Sequence, residues 1–455
     1  MSNRVRQDRA PGVGQSWWQS PGAHLQLVIV LAVALGGGGV GYGLRNAVIQ
    51  LAALAVCAAH CGLVADFLRK GPRMLVVLVL LSLAVPLLQL IPLPATIWQA
   101  LPGRAMVVES LALARLDPGS WQPASLDRAR TLVAFCGTLA PATIIAIGAR
   151  LDSKAKLHLV LTFIGAALAS VLLGVMQLST ANTTGLLFPV NAKDNVLYAS
   201  FANRNSTGLL FVLALLVTAA LPVPRQRPWL LAIVAGGSLL LLGALLTQSR
   251  SSIALLALPL ALMVMRCAFA VWTARRGSAP ALTPSHLVAA GFAILVAGIL
   301  AFSFISGGRA GQTLERFGTL EDDRLTMWED GQYAAAQYWP AGSGMGTFDE
   351  VYQVYESLEY ISPKKAGRMH NDFLEVSLEA GAVGLALIAA WLLWCMWQPL
   401  IGKGPEEHWL APGASIGIIA IALQSVLDYP LRNQTLLCVA ALLVVLLVRP
   451  GKEQA

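Results

Sequence analysis

Charged residues are scarce in this chain of 455 residues. Only 12% are Asp, Glu, Lys or Arg, whereas 56% are hydrophobic and the mean hydropathy is +0.66. A soluble globular domain carries about 25% charged residues. This shortage excludes an ordinary soluble enzyme and indicates a membrane protein. Because hydrocarbon contains no water to satisfy backbone polar groups, the long apolar runs are expected to be helices.

Cysteine is also sparse, and all six cysteines lie in or beside apolar runs. None is left to staple an external loop, so the sequence predicts no disulfide framework. Cys57, His60 and Cys61 occur at helical spacing, but no fourth ligand accompanies them. This pattern favours small packing residues over a metal site. The sequence therefore predicts no metal and no cofactor.

Apolar runs long enough to cross about 30 Å of hydrocarbon recur along the chain. They predict an all-α polytopic membrane protein with about twelve transmembrane helices. The first run contains Gly36–Gly39 and is expected to bend or to pack closely against a neighbouring helix, and the fourth run contains Pro141. The predicted spans are approximately 24–44, 47–67, 73–94, 131–149, 157–178, 205–222, 228–247, 251–271, 287–305, 379–398, 409–427 and 434–449.

Lys and Arg in short connections predict the orientation, because basic residues accumulate on the cytoplasmic side. Alternate connections are basic, which predicts both termini inside and an uncleaved first span. This bias accounts for the net charge of +8 without a nucleic-acid partner. The stretches predicted outside are 95–130, 179–204, 248–251, 306–378 and 428–433.

A single transmembrane domain, residues 24–449, is predicted between a cytoplasmic segment 1–23 and a cytoplasmic tail 450–455. It carries two external elaborations. Loop 95–130 mixes aromatic and charged residues, which predicts an interfacial helix with Trp98 and Trp121 at headgroup level and Arg128 and Arg130 at its end. The helical loop 306–378, between spans nine and ten, is long enough to carry function.

Only one of the six histidines, His370, is predicted to face outside. Imidazole titrates near neutral pH and is suited to accept a proton from a hydroxyl group. The competing interpretation is an exposed polar residue that begins a helix, with Asn371 and Asp372 as caps. The other histidines are predicted at cytoplasmic ends (His24, His158, His286, His408) or within a span (His60).

Several arginines are predicted at the same outer surface as His370. Arg250 lies between two spans with almost no loop around it, where a charge is costly unless it is paired or functional. Arg204 begins the sixth span, Arg324 lies in the large loop, and Arg432 joins the last two spans. Guanidinium groups bind phosphate oxygens in a bidentate manner, so this cluster favours a lipid-linked phosphate or diphosphate.

These motifs, in this order, resemble the O-antigen ligases and the related Wzy-type O-antigen and exopolysaccharide polymerases. The resemblance covers about residues 200–430. It rests on Phe201–Asn205, Ser249–Arg250, Arg324 with Trp328, Pro340 with Gly342–Phe348, and His370–Glu375 with Glu379 and Gly381.

The resemblance implies glycan transfer from an undecaprenyl-diphosphate carrier to a sugar hydroxyl, on the periplasmic side of a bacterial inner membrane. The implied acceptor is lipid A-core for a ligase, or a second lipid-linked repeat unit for a polymerase; membrane lipids are the remaining partners. Arg250 and Arg324 are expected to stabilise the diphosphate as it leaves, and His370 to act as the base. Glu379 or Asp428 is the expected orienting partner. Further expected substrate contacts are Asn203, Arg204, Asn205, Trp328, Asn371 and Arg432.

Three alternatives remain open at this point. Glu321–Asp323 resembles an acidic metal cluster, but a solvated loop or the start of a helix is favoured. The glycines of Gly342–Gly346 lack a following Lys-Ser/Thr and therefore indicate a tight turn rather than a nucleotide site. A transporter of lipid-linked sugars has a similar number of spans. Coupled transporters, however, usually keep ionisable residues near the midplane, and the predicted spans of this chain contain almost none.

Overall fold

The computed structural model describes residues 19–38, 42–181, 195–222, 224, 226–275, 324–359, 367–401 and 409–449. This part of the chain is almost entirely helical. The helices before the large loop are α1 Pro21–Leu35, α2 Tyr42–Ala59, α3 Cys61–Lys70, α4 Arg73–Gln89, α5 Ala95–Trp98, α6 Ala105–Leu113, α7 Arg128–Gly148, α8 Ser153–Ser179, α9 Arg204–Ala220, α10 Arg227–Leu246, α11 Arg250–Leu255 and α12 Ala257–Arg275. They are followed by α13 Arg324–Tyr338, α14 Phe348–Tyr355, α15 Asp372–Ile401, α16 Leu410–Leu427 and α17 Gln434–Leu447. Strands β1 Pro92–Leu93 and β2 Gln122–Pro123 pair antiparallel.

Seven helical segments of the described residues are long and apolar enough to cross a membrane, if α11 and α12 count as one segment, or eight if the bent pair α3 and α4 is also one span. The predicted all-α class is therefore confirmed, and the helices support a multi-pass membrane protein. Three shorter apolar helices, α1, α9 and α17, fall below that length. Twelve spans remain a prediction, and the predicted span 287–305 lies outside the described residues.

Several predicted span boundaries were wrong. The first span ends at Leu35 rather than at 44, because Gly36 terminates α1 and Gly38 has a φ of 85°. The second predicted span crosses a break at His60, which lies between α2 and α3 rather than inside a helix. Its ring nitrogen Nε2 lies 2.8 Å from Nδ1 of His24. The third span ends at Gln89 rather than at 94.

The predicted tenth span, 379–398, begins next to a break in α15, because Gly381 has non-helical backbone angles (φ 56°, ψ −142°). The residues before the break, from Asp372, form a short acidic helix, and an acidic first turn is favourable at a helix N-terminus. Asp372, Glu375 and Glu379 all lie on this short helix, within about two turns of its start.

Loop 95–130 is helical in part, and its position at a membrane interface stays a prediction. It contains two short helices, α5 and α6, and both Arg128 and Arg130 already belong to α7. Trp98 is buried and donates a hydrogen bond to the carbonyl of Ser120 at 3.0 Å, whereas Trp121 is exposed. Arg104 is also buried and donates to the carbonyl oxygens of Ala124 and Gly342. The loop therefore packs against the Gly342–Gly346 turn.

Helix α9 lies in the middle of the bundle, and almost every side chain from Ser206 to Ala220 is buried. It packs against α8, α10, α12 and α16. Because the helix runs the length of this core, its N-terminal residues are held at the centre of one end of the bundle. That end carries Asn203, Arg204 and Asn205.

The helix ends that the arginine pattern assigned to the outside meet one another. The backbone N–H of Ala202 donates to the carbonyl of Gly37 at 3.1 Å, and Gln89 donates to the carbonyl of Glu379 at 2.9 Å. The side chain of Asn203 reaches Asp428, 3.1 Å away. These contacts gather the predicted outer connections at one end of the bundle, hereafter the outer end.

Candidate active site

His370 lies in a short segment at the outer end that is fixed on both sides. Its backbone φ is 52°, in the left-handed region that few residues other than glycine adopt. The preceding Met369 is fully buried, and its carbonyl accepts a hydrogen bond from Nε1 of Trp328 at 3.0 Å. The N–H of Met369 donates to Oε2 of Glu375 at 3.1 Å. These contacts hold the backbone in the conformation that presents the imidazole.

Asn371 forms the N-terminal cap of α15. Its side-chain oxygen accepts from the N–H of Leu374 at 3.1 Å, and its carbonyl accepts from Glu375 at 3.0 Å. Such caps satisfy N–H groups that have no partner within the helix. The cap therefore fixes where α15 begins, directly after His370.

The imidazole of His370 pairs with Asp428. Nδ1 lies 3.1 Å from Oδ1 of Asp428, and the two side chains are 30% and 2% exposed respectively. The ring of Tyr429 packs edge-on against the imidazole, with 4.9 Å between the ring centroids. Burial, and then the neighbouring Asp428 carboxylate, raises the pKa of Tyr429 to about 12. The Tyr429 side chain is therefore uncharged at neutral pH and packs against a partly exposed imidazole.

Asp428 is itself held by two asparagines from the start of α9. Nδ2 of Asn203 lies 3.1 Å from Oδ2 of Asp428, and Nδ2 of Asn205 lies 2.8 Å from the same oxygen. The hydroxyl of Ser249 donates to Oδ1 of Asn205 at 2.8 Å, which connects the network to the start of α11. We call His370, Asp428, Asn203, Asn205 and Ser249 the base network.

The base network brings distant motifs together. Arg204 lies between its two asparagines and is the first residue of α9, and Arg250 follows Ser249 and is the first residue of α11. Both arginines are thus carried by helix ends that the network joins. The direct contacts of Asn203 and Asn205 are with Asp428, a role that the sequence analysis did not predict.

Arg432 occupies a different environment, enclosed by three carboxylates of α15. Its Nη1 lies 2.7 Å from Oε2 of Glu379, and its Nε lies 3.3 Å from Oε1 of Glu375 and 3.7 Å from Oδ1 of Asp372. Arg368 also pairs with Glu375, at 2.9 Å. We call these five residues the Arg432 cluster.

The Arg432 cluster is built into the protein interior. All three carboxylates are fully buried, and the arginine side chain is 9% exposed. Burial disfavours the charge of Arg432, but the attraction of Glu379 and then Glu375 outweighs burial and holds the pKa of the guanidinium above its ordinary value. This geometry favours a structural role for Arg432 and Glu379 over the substrate contacts expected from the sequence.

The Gly342–Gly346 segment is a turn that docks onto α15. Gly342, Gly344 and Gly346 have φ values of 84°, 116° and 85°, which side chains rarely allow. The N–H of Ser343 donates to the carbonyl of Leu378, and that of Gly344 to the carbonyl of Glu379, each at 2.9 Å. The backbone N–H groups therefore bond to α15, which agrees with the predicted turn.

Arg324 is the first residue of α13, four residues before Trp328. Because Trp328 donates a hydrogen bond to the backbone beside His370, α13 links the Arg324–Trp328 motif to the segment that carries His370. Trp328 holds this segment through its ring nitrogen, whereas the sequence analysis expected it to contact the substrate. The acidic run Glu321–Asp323 lies outside the described residues.

Sequence reasoning assigned no role to Ser249, Arg368, Glu375 or Tyr429, and it considered Asp372 only as a helix cap. A signal for the carboxylates was present, because Asp372, Glu375 and Glu379 recur at helical spacing and share one helix face. Their common partner is far away along the chain and follows from no local pattern. Within the described ranges, no group of three or more His, Cys, Asp or Glu side chains is arranged to hold a metal ion.

Comparison with known proteins gives one family. Residues 235–389 match the family model described as O-Antigen ligase. This match includes Arg250, Arg324 and His370, and it confirms over these residues the resemblance to the O-antigen ligase and Wzy-type superfamily. Asn203, Asn205 and Asp428 lie outside the matched stretch and join the site only through the fold. No curated protein matches the chain.

Proposed function

We propose, from the O-antigen ligase match of residues 235–389, that this protein transfers a glycan from an undecaprenyl-diphosphate carrier to a sugar hydroxyl without a metal ion. The proposed reaction occurs at the periplasmic face of a bacterial inner membrane, and lipid A-core is the proposed acceptor. The family comprises glycosyltransferase-like ligases and polymerases, which supports an enzyme in general terms.

The His370–Asp428 pair is the observation that carries the proposal. A carboxylate that accepts a hydrogen bond from Nδ1 fixes the imidazole tautomer and leaves the lone pair on Nε2. The His370 side chain is 30% exposed, and we assign this second nitrogen to the acceptor hydroxyl group. Of the two carboxylates left open by the sequence, Asp428 is the one paired with the imidazole, while Glu379 pairs with Arg432.

The proposed step is an inverting displacement. The acceptor hydroxyl oxygen bonds to the anomeric carbon as its proton passes to Nε2 of His370. The bond from that carbon to the diphosphate oxygen breaks, and the oxygen departs with the electron pair. Asp428 stabilises the imidazolium that forms, as a carboxylate partner does in other His-dependent enzymes.

Negative charge accumulates on the departing diphosphate, and we assign Arg250 and Arg324 to stabilising it. Arg204 is a further candidate because it begins α9 between the two asparagines of the base network. Guanidinium groups bind phosphate oxygens in a bidentate manner, which suits a diphosphate. Asn203 and Asn205 act in this proposal by holding Asp428.

The same chemistry serves a polymerase, which differs only in using a second lipid-linked repeat unit as the acceptor. A transporter of lipid-linked sugars fits less well. The acidic residues of α15 lie within two turns of its outer end and are already paired with arginine, whereas coupled transporters usually keep ionisable residues near the midplane.

The test is transfer by the purified protein in lipid nanodiscs, with a lipid-linked glycan as donor and either lipid A-core or a second lipid-linked glycan as acceptor. Product on lipid A-core supports a ligase, and elongated lipid-linked product supports a polymerase. Absence of product with both acceptors, from a folded protein, would overturn the proposed function. Equal product from the wild type and His370→Gln would overturn the assignment of the base.

A further inference from the structure

Helices α13 and α14 carry a surface that no step of the proposed reaction uses. Residues 325–359, which include both helices after Arg324, contain six acidic residues and no lysine, arginine or histidine, although the whole chain has a net charge of +8. They also contain four of the eight tyrosines of the chain. This part of the outer end is therefore both acidic and aromatic.

One face of α13 presents an acidic, an aromatic and an amide side chain in a row. Glu329, Tyr333 and Gln337 are spaced four residues apart, so their side chains follow one another along the helix. The ring-bearing residue Tyr333 is 61% exposed, Glu329 is exposed and Gln337 is half-buried. The row therefore offers one aromatic ring and two hydrogen-bonding groups to a ligand.

Tyr355, the last residue of α14, widens this row. Its ring lies edge-on to the ring of Tyr333, with 5.9 Å between the centroids. It also contacts the buried ring of Tyr338 edge-on at 6.1 Å, and the guanidinium of Arg104 lies 5.5 Å from the centroid of Tyr338. Glu356, which follows Tyr355, is half-buried. We call the following residues the Tyr333 surface: Glu329, Tyr333, Gln337, Tyr355 and Glu356.

The Tyr333 surface begins close to the base network. Glu329 follows Trp328, whose ring nitrogen donates to the carbonyl of Met369, the residue before His370. Tyr333 lies one turn beyond Glu329, which is about 6 Å at the α-helical rise. An elongated substrate that reacts at His370 can therefore extend along α13 to the exposed tyrosine.

We infer that the Tyr333 surface binds the glycan of the lipid-linked donor and that this glycan carries no acidic sugars, an inference that rests on the proposed function. One face of a sugar ring consists of C–H bonds, which pack against the electron-rich face of a tyrosine ring. Sugar hydroxyls donate hydrogen bonds to carboxylate and amide oxygens. A uronic acid or a phosphate on the glycan would instead be repelled by Glu329 and Glu356.

Charge disfavours the other occupants available at the outer end. Tyrosines also occur at membrane interfaces, but helices that lie on a membrane carry Lys and Arg on their polar face. The Tyr333 surface has two glutamates and no basic residue. Lipid A is phosphorylated, so the same glutamates disfavour the acceptor of a ligase. These charges favour the glycan of the donor.

Binding is tested with the full chain in lipid nanodiscs and with lipid-free glycan, released by mild acid from the lipid-linked pool of cells that lack this protein. Saturation-transfer NMR measures this binding without lipid carrier, diphosphate or turnover. Tyr333→Ala should weaken it about two- to tenfold, as expected for the loss of one aromatic contact, whereas Tyr333→Phe keeps the ring and should match the wild type. Trp229→Ala is the matched control, because Trp229 is 64% exposed and lies on α10, outside this surface. Equal binding by the wild type and Tyr333→Ala would overturn the inference.

The charge of the glycan is tested with the same glycan after light carboxymethylation. We expect the wild type to bind this acidic form several-fold more weakly than the native form. The double variant Glu329→Gln with Glu356→Gln should bind the two forms alike. Equal binding of both forms by the wild type, or acidic sugars in the native glycan, would overturn the assignment of an uncharged glycan.

A photoreactive phospholipid in the nanodiscs tests the membrane as the occupant, and lipid label on Tyr333 would overturn the inference. Displacement of the glycan by lipid A would overturn it in favour of the acceptor. A transfer assay on the same samples separates the two proposals. Binding that depends on Tyr333 without any transfer refutes only the proposed function, whereas transfer with unchanged binding in Tyr333→Ala refutes only this inference.

Discussion

The His370–Asp428 pair and the Arg432 cluster lie at the same end of the bundle, yet they use charge differently. His370 is 30% exposed and has one carboxylate partner, whereas Arg432 is 9% exposed and has three. The partly exposed imidazole of His370 can exchange a proton with the hydroxyl group of a bound substrate. The three carboxylates of the Arg432 cluster are fully buried, and removal of their arginine partner leaves buried charges unpaired. Proximity to a site therefore does not by itself indicate participation in its chemistry.

The two regions share the helix that connects them. The Arg432 cluster fixes the first two turns of α15, and the cap Asn371 joins α15 to His370. The cluster also contacts the connection between α16 and α17, which carries Asp428. There, Asp372 accepts a hydrogen bond from the N–H of Leu431 at 2.9 Å. The Arg432 cluster thus helps to position both Asp428 and His370.

The largest effect is expected for His370→Gln. Removing a general base typically lowers a rate by about 10²–10⁴-fold. Because the His370 side chain is partly exposed, the apparent Tm of the variant should stay close to that of the wild type. Transfer rates and thermal unfolding of the same preparation measure both quantities. A variant that loses Tm as well as activity would contradict the separation of the two regions.

Arg432→Met should produce the opposite pattern. It leaves three buried carboxylates without their common counter-ion, and breaking a buried ion pair costs about 3–5 kcal/mol of stability. We expect a clear fall in the apparent Tm and in the yield of folded protein. His158→Met is a suitable reference, because His158 lies at the other end of the bundle in α8. An unchanged Tm in Arg432→Met would show that the cluster is not structural.

Asp428→Asn tests whether the Asp428 carboxylate assists His370. The amide is nearly the same size, but it is neutral and no longer stabilises an imidazolium. We expect a loss of about 10²-fold in rate, smaller than that of His370→Gln, with little change in Tm. Combined with His370→Gln, the second change should have almost no further effect. Additive losses in the double variant would indicate that Asp428 acts independently of His370.

The smallest effect is expected for Trp328→Phe, which removes the hydrogen bond to the carbonyl of Met369 and little volume. One such bond contributes about 0.5–1.5 kcal/mol. The rate should fall a few-fold, because the segment that carries His370 is held less firmly. Reactivity of His370 towards diethylpyrocarbonate should change in parallel. A large rise in KM with an unchanged kcat would indicate instead that Trp328 contacts the substrate.

The predicted site residues differ in how well local pattern located them. His370 was found by elimination, because the orientation left one histidine at the outer surface. Arg250 and Arg204 were found because a charge at a span boundary is conspicuous in an apolar sequence. Trp328, Asn203 and Asn205 were also selected, but as substrate contacts, whereas their direct partners are Met369 and Asp428.

The predicted span boundaries likewise divide into those that the local pattern located and those that it missed. Hydropathy located α7, α8, α10, α16 and α17 closely, because their ends coincide with changes in polarity. It failed at His60, where the helix breaks for a reason that hydropathy does not measure. In loop 95–130 only packing decided that Trp98 and Arg104 are buried, because amphipathic residues can face lipid, water or protein.

The sequence by itself determined the class of this protein, its helical character and the chemical groups available at the outer end. Composition and hydropathy suffice for these properties, because each depends on single residues and their neighbours along the chain. The tertiary structure alone decided that Asp428 pairs with His370 and that Arg432 is enclosed by three carboxylates. Those partners are brought together by helices whose order in space is set by packing, and no local pattern of residues encodes that order.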